Sequence, residues 1–490
     1  MKKQLFYLLL LILTAMHVTV SHAQQYKIMK AASRYFMDFA VLYDKQTDDV
    51  FGYIELSRSI RPAKLKEKVY YTILDKNLNK ITDGQFDIPV KFKKSFVTLE
   101  DISFADGHIL MQIDEKLKQG IGNNVTISTL NSHYHILSVG ENKIIKHGKL
   151  ADLIKTKKSK RVNLYMATTQ SAPRGFIINM LHGSPFSLKQ TLVVMDVNGN
   201  VLWDKFHALY LAKKKKSKSE NVLGVDKDYV YMMSIPVRLQ KSNHYDPNVS
   251  LIVRKWENGE QLAKTGIKPD PRYRYKIFYN KTKNGNIIFS GRYMDIKKSK
   301  SNRWLGIFRD IYVWDGKELK RNAIQYLPFT QFKVPGINEY GKIKKEGYLT
   351  FEDVDHLDDG RMIYIAESHN SKTYRGLYLF LMDKDFHVAK SKKLMAEPTS
   401  YAKYRFSHKL QHNKGRFFVF YDEDGKYSYN IHIIKYLTKE DKFSERVLKG
   451  NYRKSKINVV PAKKGYIMII EKYNNPKKEG KLMELRLEKV

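Results

Sequence analysis

Residues Phe351–Glu367 read FEDVDHLDDGRMIYIAE, two strand-like segments that meet at the dipeptide Asp359-Gly360. Asp-Gly between apolar runs is a strong local signal for a β-hairpin, because a type I′ turn needs positive φ at both central residues. The second segment, Met362–Ala366, is apolar without interruption, which is typical of a strand buried on both faces. The stretch therefore predicts a hairpin whose second strand lies inside a stack of sheets.

The same arrangement of strand, turn and strongly apolar strand recurs along the chain. Five further copies carry glycine in the turn: Ile102–Asp114, Tyr165–His182, Ile277–Arg292, Phe406–Asp422 and Ile457–Lys472. Two weaker copies lack this glycine: Phe39–Leu56 and Val222–Ile235. Between them lies a second kind of hairpin, in which an apolar run ends at an aspartate, as in Leu192–Asp196. The sequence therefore predicts eight hairpins of the first kind and about four strands per repeat.

A repeat of this size is typical of a β-propeller, whose blades are four-stranded sheets around an axis. Over residues 37–490 the chain resembles the β-propeller superfamily, and in particular the uncharacterised secreted propellers of Gram-negative bacteria. The resemblance implies an all-β, single-domain architecture with seven or eight blades, and it implies no activity. Tandem β-sandwiches are the second interpretation, because they also bury strands.

The last repeat lacks one strand. After the hairpin Ile457–Lys472 only Leu482–Lys489 remains, while Tyr26–Ser33 precedes the first hairpin. We expect these N- and C-terminal segments to pair within one blade and to close the ring. The segment Thr330–Gly347, which contains Pro335, interrupts the repeat and is expected to be an extended loop, since proline removes a donor that a ladder needs.

The first residues predict the compartment. Lys2 and Lys3 precede the apolar run Leu5–Leu13, and Ser21-His22-Ala23 offers small residues at the two positions that determine cleavage. Residues 1–23 are expected to be a signal peptide cleaved before Gln24, which leaves residues 24–490 as a propeller domain in a periplasm or outside the cell. No later apolar stretch reaches the ~20 residues of a membrane span, so no transmembrane segment is expected after cleavage.

The composition excludes several chemistries and indicates a basic surface. The chain has 490 residues and no cysteine, which excludes disulfide scaffolds, thiolate metal sites and cysteine nucleophiles. It carries 88 Lys and Arg against 50 Asp and Glu, a net charge of +38. Lysine supplies most of the excess, in runs such as Lys213–Lys216, whereas recognition of nucleic acid favours arginine. The runs are either solvated loops or a patch for an anionic glycan, a lipid headgroup or a protein partner. Nucleic acid is not favoured, and a monomer is expected.

Catalytic and metal-binding motifs are missing from the sequence. It contains no Gly-x-Ser-x-Gly, His-Glu-x-x-His, P-loop or dinucleotide motif. Asp196–Asn200 looks like the start of a calcium loop, but Val201 stands where such a loop needs glycine. We therefore expect no cofactor and no metal, and a binding or scaffold protein of the cell envelope rather than an enzyme.

One regularity indicates a candidate site. The seventh residue after each turn glycine is polar and ends an apolar strand, which selects Asp114, His182, Arg292, Glu367, Asp422 and Lys472. Equivalent positions of a propeller lie on one face, so these side chains are expected to surround one mouth of the axial channel and to hold a small polar or charged ligand. Arg274 and Arg405, at the starts of two blades, are expected at the same face. The alternative is that strands become polar where they reach solvent.

An enzymatic interpretation stays open beside this one. If Asp359-Gly360 is a two-residue turn, the register places Glu352 directly opposite Glu367, and such a like-charged pair favours a compensating cation, proton or arginine. The alternative function is that of a glycan hydrolase or lyase. Its acid/base candidates are Glu352, Glu367 and Asp422, and its substrate-holding candidates are Arg292 and His182.

Overall fold

The structure is a computed structural model. It describes residues 25–29, 34–59, 65–121, 124–154, 164–184, 187–209, 217–237, 250–266, 272–281, 286–295, 304–370, 372–423, 428–451, 455–473 and 481–490. The predicted signal peptide, residues 1–23, and the lysine run Lys213–Lys216 lie outside the described residues. Within the described ranges, no helix is long and apolar enough to cross a membrane.

The described residues form eight antiparallel sheets, numbered here as blades 1 to 8 along the chain. The first described strand, β1 (Gln25–Met29), belongs to the last blade. Blade 1 contains β2 (Arg34–Asp44), β3 (Asp49–Ser59), β4 (Lys66–Asp75) and β5 (Lys80–Pro89). Blade 2 contains β6 (Ser95–Ala105), β7 (His108–Ile121), β8 (Asn124–Ser138) and β9 (Lys143–Lys149). Blade 3 contains β10 (Leu164–Ala172), β11 (Gly175–Ser184), β12 (Ser187–Asp196) and β13 (Val201–Ala208). Blade 4 contains β14 (Ser217–Val225), β15 (Tyr229–Val237), β16 (Ser250–Lys255) and β17 (Gln261–Gly266).

The other four blades follow the same order. Blade 5 contains β18 (Arg272–Lys281), β19 (Asn286–Asp295), β20 (Gly306–Trp314) and β21 (Leu319–Pro328). Blade 6 contains β22 (Lys342–Ile343), β23 (Gly347–His356), β24 (Met362–His369), β25 (Tyr374–Met382) and β26 (Val388–Thr399). Blade 7 contains β27 (Tyr404–Lys409), β28 (Gly415–Glu423), β29 (Ser428–Leu437) and β30 (Lys442–Asn451). Blade 8 contains β31 (Ser455–Pro461), β32 (Tyr466–Tyr473) and β33 (Lys481–Lys489) together with β1.

The first long strand of each blade lies nearest the axis. First strands of neighbouring blades contact one another, as β2 does with β6 and β6 with β10. All eight hairpins expected between first and second strands are present, which confirms the propeller and fixes the number of blades at eight. We call the face that carries the connections between blades and the loops between second and third strands the loop face. The opposite face, with the turns between first and second strands, is the turn face.

The ring is closed by pairing of the first and last described strands. β1 is antiparallel to β33, with Tyr26 opposite Leu485 and Ile28 opposite Met483. The Ile28 side chain is 3% exposed and belongs to a core that also contains Val50 of blade 1. The expected closure by the terminal strands is confirmed.

The core consists of apolar layers between blades. Ile363 and Ile365 of blade 6 share one cluster with Phe418 and Phe420 of blade 7, and all four side chains are fully buried. β24, which follows the first long strand of blade 6, is buried from Met362 to Ser368. The continuous apolar run therefore reflects neighbours on both faces of the sheet.

The segment Thr330–Gly347 is a loop over most of its length, as expected, but it packs against the core. The segment starts within a 3-10 helix, Phe329–Gln331, and β22 near its end pairs with the start of β23. Phe332 and Ile343 bury their side chains in the core between blades 5 and 6. Proline and glycine end the regular secondary structure here. They do not prevent packing, because the apolar side chains beside them are buried between the two blades.

Ile28→Ala is expected to lower the free energy of unfolding by about 2–5 kcal/mol, because a buried isoleucine loses its packing at the closing seam. The control is Lys27→Ala, an exposed position in the same strand, which should change it by less than about 0.5 kcal/mol. Urea unfolding followed by circular dichroism measures both variants. Equal losses would contradict closure by β1.

Candidate functional site

A β-bulge interrupts the first strand in seven of the eight blades. A bulge adds a residue to one strand and re-aims the side chains beside it. In six of these blades a single residue is inserted: Met37, Glu100, Tyr165, Leu223, Glu352 or Arg405. Two of the expected site residues, Glu352 and Arg405, are therefore bulge residues.

The glycine turns differ in length. Asp106-Gly107 is a two-residue turn as predicted, with φ of 44° and 72° and with Ala105 paired to His108. At Asp359-Gly360 the N–H of Leu357 donates to the carbonyl of Arg361 at 2.9 Å, so the loop has one residue more.

The prediction that Glu352 lies directly opposite Glu367 is wrong. Glu367 pairs with Thr350, and Glu352 is the residue that the bulge inserts between Phe351 and Asp353. The longer turn and the bulge each shift the register by one position. The two carboxylates nevertheless remain neighbours, since the charge of Glu352 acts on Glu367.

Glu367, Lys403 and Asp422 form a buried group of polar contacts that joins blade 6 to blade 7. The carboxylate of Glu367 is fully buried and accepts the backbone N–H of Lys403 at 2.9 Å and of Tyr404 at 2.6 Å. The side chain of Lys403 is fully buried as well, and its Nζ donates to Oδ1 of Asp422 at 2.7 Å. Buried charges need such partners, because desolvation otherwise penalises the charged form.

Burial and hydrogen bonding act in opposite directions on the pKa of Glu367. Burial raises the pKa of Glu367, the two backbone donors lower it, and the charge of Glu352 raises it. Burial also raises the pKa of Tyr374, and the charges of Glu352 and Glu367 raise it further. The structure therefore brings both glutamates and this phenol together in blade 6.

Arg405 lies at the start of β27 between aromatic rings. Its guanidinium carbon is 5.6 Å from the ring centroid of Tyr401 and 5.3 Å from that of Tyr421. One guanidinium nitrogen also donates to the carbonyl of Ala402 at 2.7 Å. These contacts hold the side chain in place and leave it partly exposed.

The six predicted ring residues lie on the second strands of six different blades, toward the loop-face end. Four are buried: Asp114 (8% exposed), His182 (2%), Glu367 (0%) and Asp422 (2%). Arg292 is half-buried, with its guanidinium carbon 4.6 Å from the ring centroid of Trp304. Lys472 is exposed, and its Nζ lies 5.6 Å from the ring centroid of Phe36.

These six residues share a place in the repeat without forming one solvent-facing ring. Side chains of a second strand point toward the neighbouring blades, so packing of a blade covers them. His182, for example, bonds through Nε2 to Oγ1 of Thr191 at 2.8 Å. Arg274 lies in β18 opposite Tyr293, and its side chain is outside the described residues. Ligand binding by these residues stays a prediction.

Sequence reasoning missed Lys403, which follows Glu367 by 36 positions. It lies in the connection between two blades, and no short-range pattern relates a connection to the second strand of the preceding blade.

A repeated sequence signal did exist in the first strands. Leu99-Glu100-Asp101-Ile102 and Phe351-Glu352-Asp353-Val354 occupy the same place around the bulge in blades 2 and 6. The aspartate of each copy bonds to the next blade. Asp101 accepts the N–H of Thr169 at 2.6 Å, and Asp353 accepts the hydroxyl of Tyr404 at 2.7 Å.

The turn face is crossed near the axis by contacts between blades that are not neighbours. Lys409 of blade 7 forms an ion pair with Asp48 of blade 1. Gln46 of blade 1 donates to the carbonyl of Pro173 in blade 3. Such contacts require the turns to meet over the axis. A ligand site is therefore favoured at the loop face.

Large apolar side chains are exposed on the loop face over blades 1 to 3. Among the eleven exposed large hydrophobic side chains of the described residues, six stand in the first strands, third strands or connections of these blades: Tyr35, Leu65, Phe92, Ile127, Tyr165 and Met166. We call these six the blade 1–3 surface. Five exposed lysines lie in the same connections and strand ends: Lys66, Lys91, Lys93, Lys94 and Lys118.

Three histidines cluster where blade 2 packs on blade 1. The ring centroid of His135 is 5.7 Å from that of His147 and 4.9 Å from that of Phe86. Burial lowers the pKa of His133, and burial together with the neighbouring histidines lowers the pKa of His135 to about 3. In the part of the chain that the structure describes, no group of three or more His, Cys, Asp or Glu side chains has a geometry suited to a metal ion.

Strand order and closure define the chain as an eight-bladed β-propeller. No family model and no curated protein matches its sequence. The chain is similar to the WD40 domain of SCAP from fission yeast (8% identity, TM-score 0.41, covering 95% of this chain and 98% of that one). It is also similar to BamB from Moraxella catarrhalis (8%, 0.37, 94% and 99%) and to prolyl oligopeptidase B from Galerina marginata (9%, 0.39, 90% and 56%). At these scores the similarities carry no argument about function, and the propeller assignment rests on the eight sheets of this chain.

Lys403→Met is expected to lower the free energy of unfolding by about 3–5 kcal/mol, because the buried carboxylate of Asp422 loses its ammonium partner. The double variant Lys403→Met/Asp422→Leu should recover most of this loss, since it removes both charges. The exposed pair Lys80–Asp83 provides the control, and Lys80→Met should cost less than about 1 kcal/mol. Urea unfolding of the three variants measures the difference. A smaller loss for Lys403→Met than for Lys80→Met would contradict the role of Lys403 in joining the two blades.

Acid is expected to destabilise the fold. The unfolded chain binds protons at its histidines near pH 6.5, whereas His135 binds one only near pH 3, so protons favour the unfolded state. The free energy of unfolding should fall as the pH decreases below 6.5, by up to ~1.4 kcal/mol per pH unit for this residue.

The variant His135→Phe keeps an aromatic ring against Phe86 and should make this dependence less steep, while His356, whose pKa burial also lowers to about 3, keeps its own contribution. His387→Phe, whose side chain is 68% exposed in the native protein, should behave like the wild type. Urea unfolding at a series of pH values compares the three proteins. Equal slopes for His135→Phe and the wild type would show that His135 does not carry the effect.

Proposed function

We propose that the protein is an exported, non-enzymatic binding or scaffold protein of the cell envelope that engages an anionic partner through its loop face. The observation that carries this proposal is the blade 1–3 surface, where exposed lysines stand among exposed apolar side chains. Exposed apolar side chains that are concentrated on one face mark interaction sites. An anionic glycan, a lipid headgroup or an acidic protein is the matching class of partner.

The charge of the whole chain supports the same class of partner. The net charge of +38 attracts anions from a distance, and this attraction weakens as salt screens it. The closed ring presents its loop face on eight sheets of paired strands. Binding therefore costs little ordering of the chain.

Export rests on the predicted signal peptide. Cleavage before Gln24 would leave β1, which starts at Gln25, available to close blade 8. The proposed processing is therefore compatible with a complete ring.

The alternative function, a glycan hydrolase or lyase, has less support. Glu367 and Asp422 are buried, and both are bonded to Lys403. Glu352 is the most exposed of the three acid/base candidates. Most glycosidases need two carboxyl groups that flank the scissile bond, and the buried pair is committed to holding two blades together.

Retention on a heparin-type resin at low ionic strength and elution by salt are expected for the wild type. The variant Lys93→Glu/Lys94→Glu changes the loop face and should elute at lower salt. The variant Lys317→Glu/Lys439→Glu makes the same change of charge at exposed positions of the turn face and should elute close to the wild type. Absence of retention, or equal shifts for the two variants, would overturn binding through the loop face.

A further inference from the structure

We propose that the blade 1–3 surface docks on a lipid bilayer that contains anionic lipids, with its apolar side chains inserted at the level of the headgroups. This inference rests on the proposed function, in which the loop face takes an anionic partner, and it names the class of that partner. Its four supports are the placement of the apolar side chains, a projecting β-ribbon, the arrangement of charge and the types of apolar side chain.

The topology places the apolar side chains on one side of the ring. Tyr35 stands at the start of β2, and Tyr165 and Met166 stand at the start of β10. Leu65 immediately precedes β4, and Phe92 lies in the connection between β5 and β6. First and third strands both start at the loop face, so all these positions belong to that face in three consecutive blades.

The hairpin of β7 and β8 projects from the loop face. The pairing of β6 with β7 ends at Ser95 and Leu117, and the pairing of β8 with β9 ends at His133 and Lys149. β7 and β8 remain paired beyond both limits, as far as Ile121 and Asn124. Ile127 lies on this free ribbon and is 60% exposed, the highest value among the exposed large hydrophobic side chains of the described residues. The ribbon therefore reaches an approaching surface before the rest of the blade does.

The acidic side chains near this region are mostly engaged with partners. Glu67 is fully buried and bonds to Ser59, and Glu115 is fully buried and accepts the N–H of Lys91. Glu100 forms an ion pair with Lys116 at 2.5 Å. Asp38, Asp87 and Asp152 are exposed, against the five exposed lysines of the same region and Lys149 at the end of β9. The surface is therefore cationic, which matches the negative potential of a bilayer with anionic lipids.

The types of apolar side chain favour a bilayer over a glycan. A sugar stacks on aromatic rings and gains little from isolated aliphatic side chains, whereas Leu65, Ile127 and Met166 are aliphatic. Tyr35, Phe92 and Tyr165 are rings of the kind that concentrate at membrane interfaces. Lys91 and Arg58 lie over the rings of Phe92 (5.3 Å) and Tyr35 (5.0 Å), so each cation accompanies an apolar group that a headgroup region accepts.

The experiment is a vesicle flotation assay with the full chain. The vesicles consist of phosphatidylcholine with or without phosphatidylglycerol. The wild type is expected to bind the vesicles that contain phosphatidylglycerol and not those of phosphatidylcholine alone. Phe92→Ser/Ile127→Ser should lower the partition coefficient roughly tenfold or more, because two inserted side chains are lost. The matched control is Ile81→Ser/Val447→Ser, which removes exposed apolar side chains away from the loop face and should leave it unchanged.

Parallel elution from the heparin-type resin separates this inference from the proposed function. Phe92→Ser/Ile127→Ser should elute like the wild type, since its charge is unaltered, and an unchanged urea midpoint shows that it is folded. Vesicle binding that survives in this variant, or equal binding to vesicles without phosphatidylglycerol, overturns docking on an anionic bilayer and leaves the proposed function standing. If the wild type binds the resin but not the vesicles, docking on a bilayer is overturned and the proposed function stands. A soluble glycan or a protein is then favoured as the partner. Failure on both overturns both proposals.

Discussion

Burial of both faces of every sheet is the constraint on which the rest of the structure depends. A four-stranded sheet that is apolar on both faces needs two neighbours, and only a closed ring gives two neighbours to every blade. Ile365 and Phe420 provide this contact between blades 6 and 7, and Ile28 provides it at the seam between blades 8 and 1. The pairing of β1 with β33 is therefore a condition for the core and not only a terminal contact.

The hairpins, the repeat and the closure could be predicted because they depend on local signals, namely turn residues and uninterrupted apolar runs. Register could not be predicted, because a bulge forms where a strand meets its neighbouring blade. At Glu352 one extra turn residue and one bulge residue were enough to give Glu367 a different partner, Thr350. Thr330–Gly347 shows the same limit, since its proline is a local signal, whereas Phe332 became buried by packing between two blades.

The candidate site was likewise predictable only in part. The repeat located the ends of the second strands, and with them Glu367 and Asp422, but it could not locate the lysine between them. A polar group that a neighbouring blade covers must be satisfied by that blade, and its partners come from a connection far along the chain. In blades 6 and 7, the residues that the repeat marks as candidate ligands are also the residues that join two blades. Exposure, which no local pattern reports, identifies the blade 1–3 surface as the largest group of exposed apolar side chains among the described residues.

The direction of the first strand accounts for the difference between the two faces. Because each first strand starts at the loop face, all connections between blades fall on that face, and short turns meet over the axis on the other. Polar groups of those turns bond to one another, as Lys409 does with Asp48. On the loop face, Ile127 and Met166 are paired with the neighbouring strand, so the ring cannot rearrange to bury them without breaking ladder hydrogen bonds. Within the described residues these side chains stay exposed, and the lysines beside them are the reason for proposing an anionic partner.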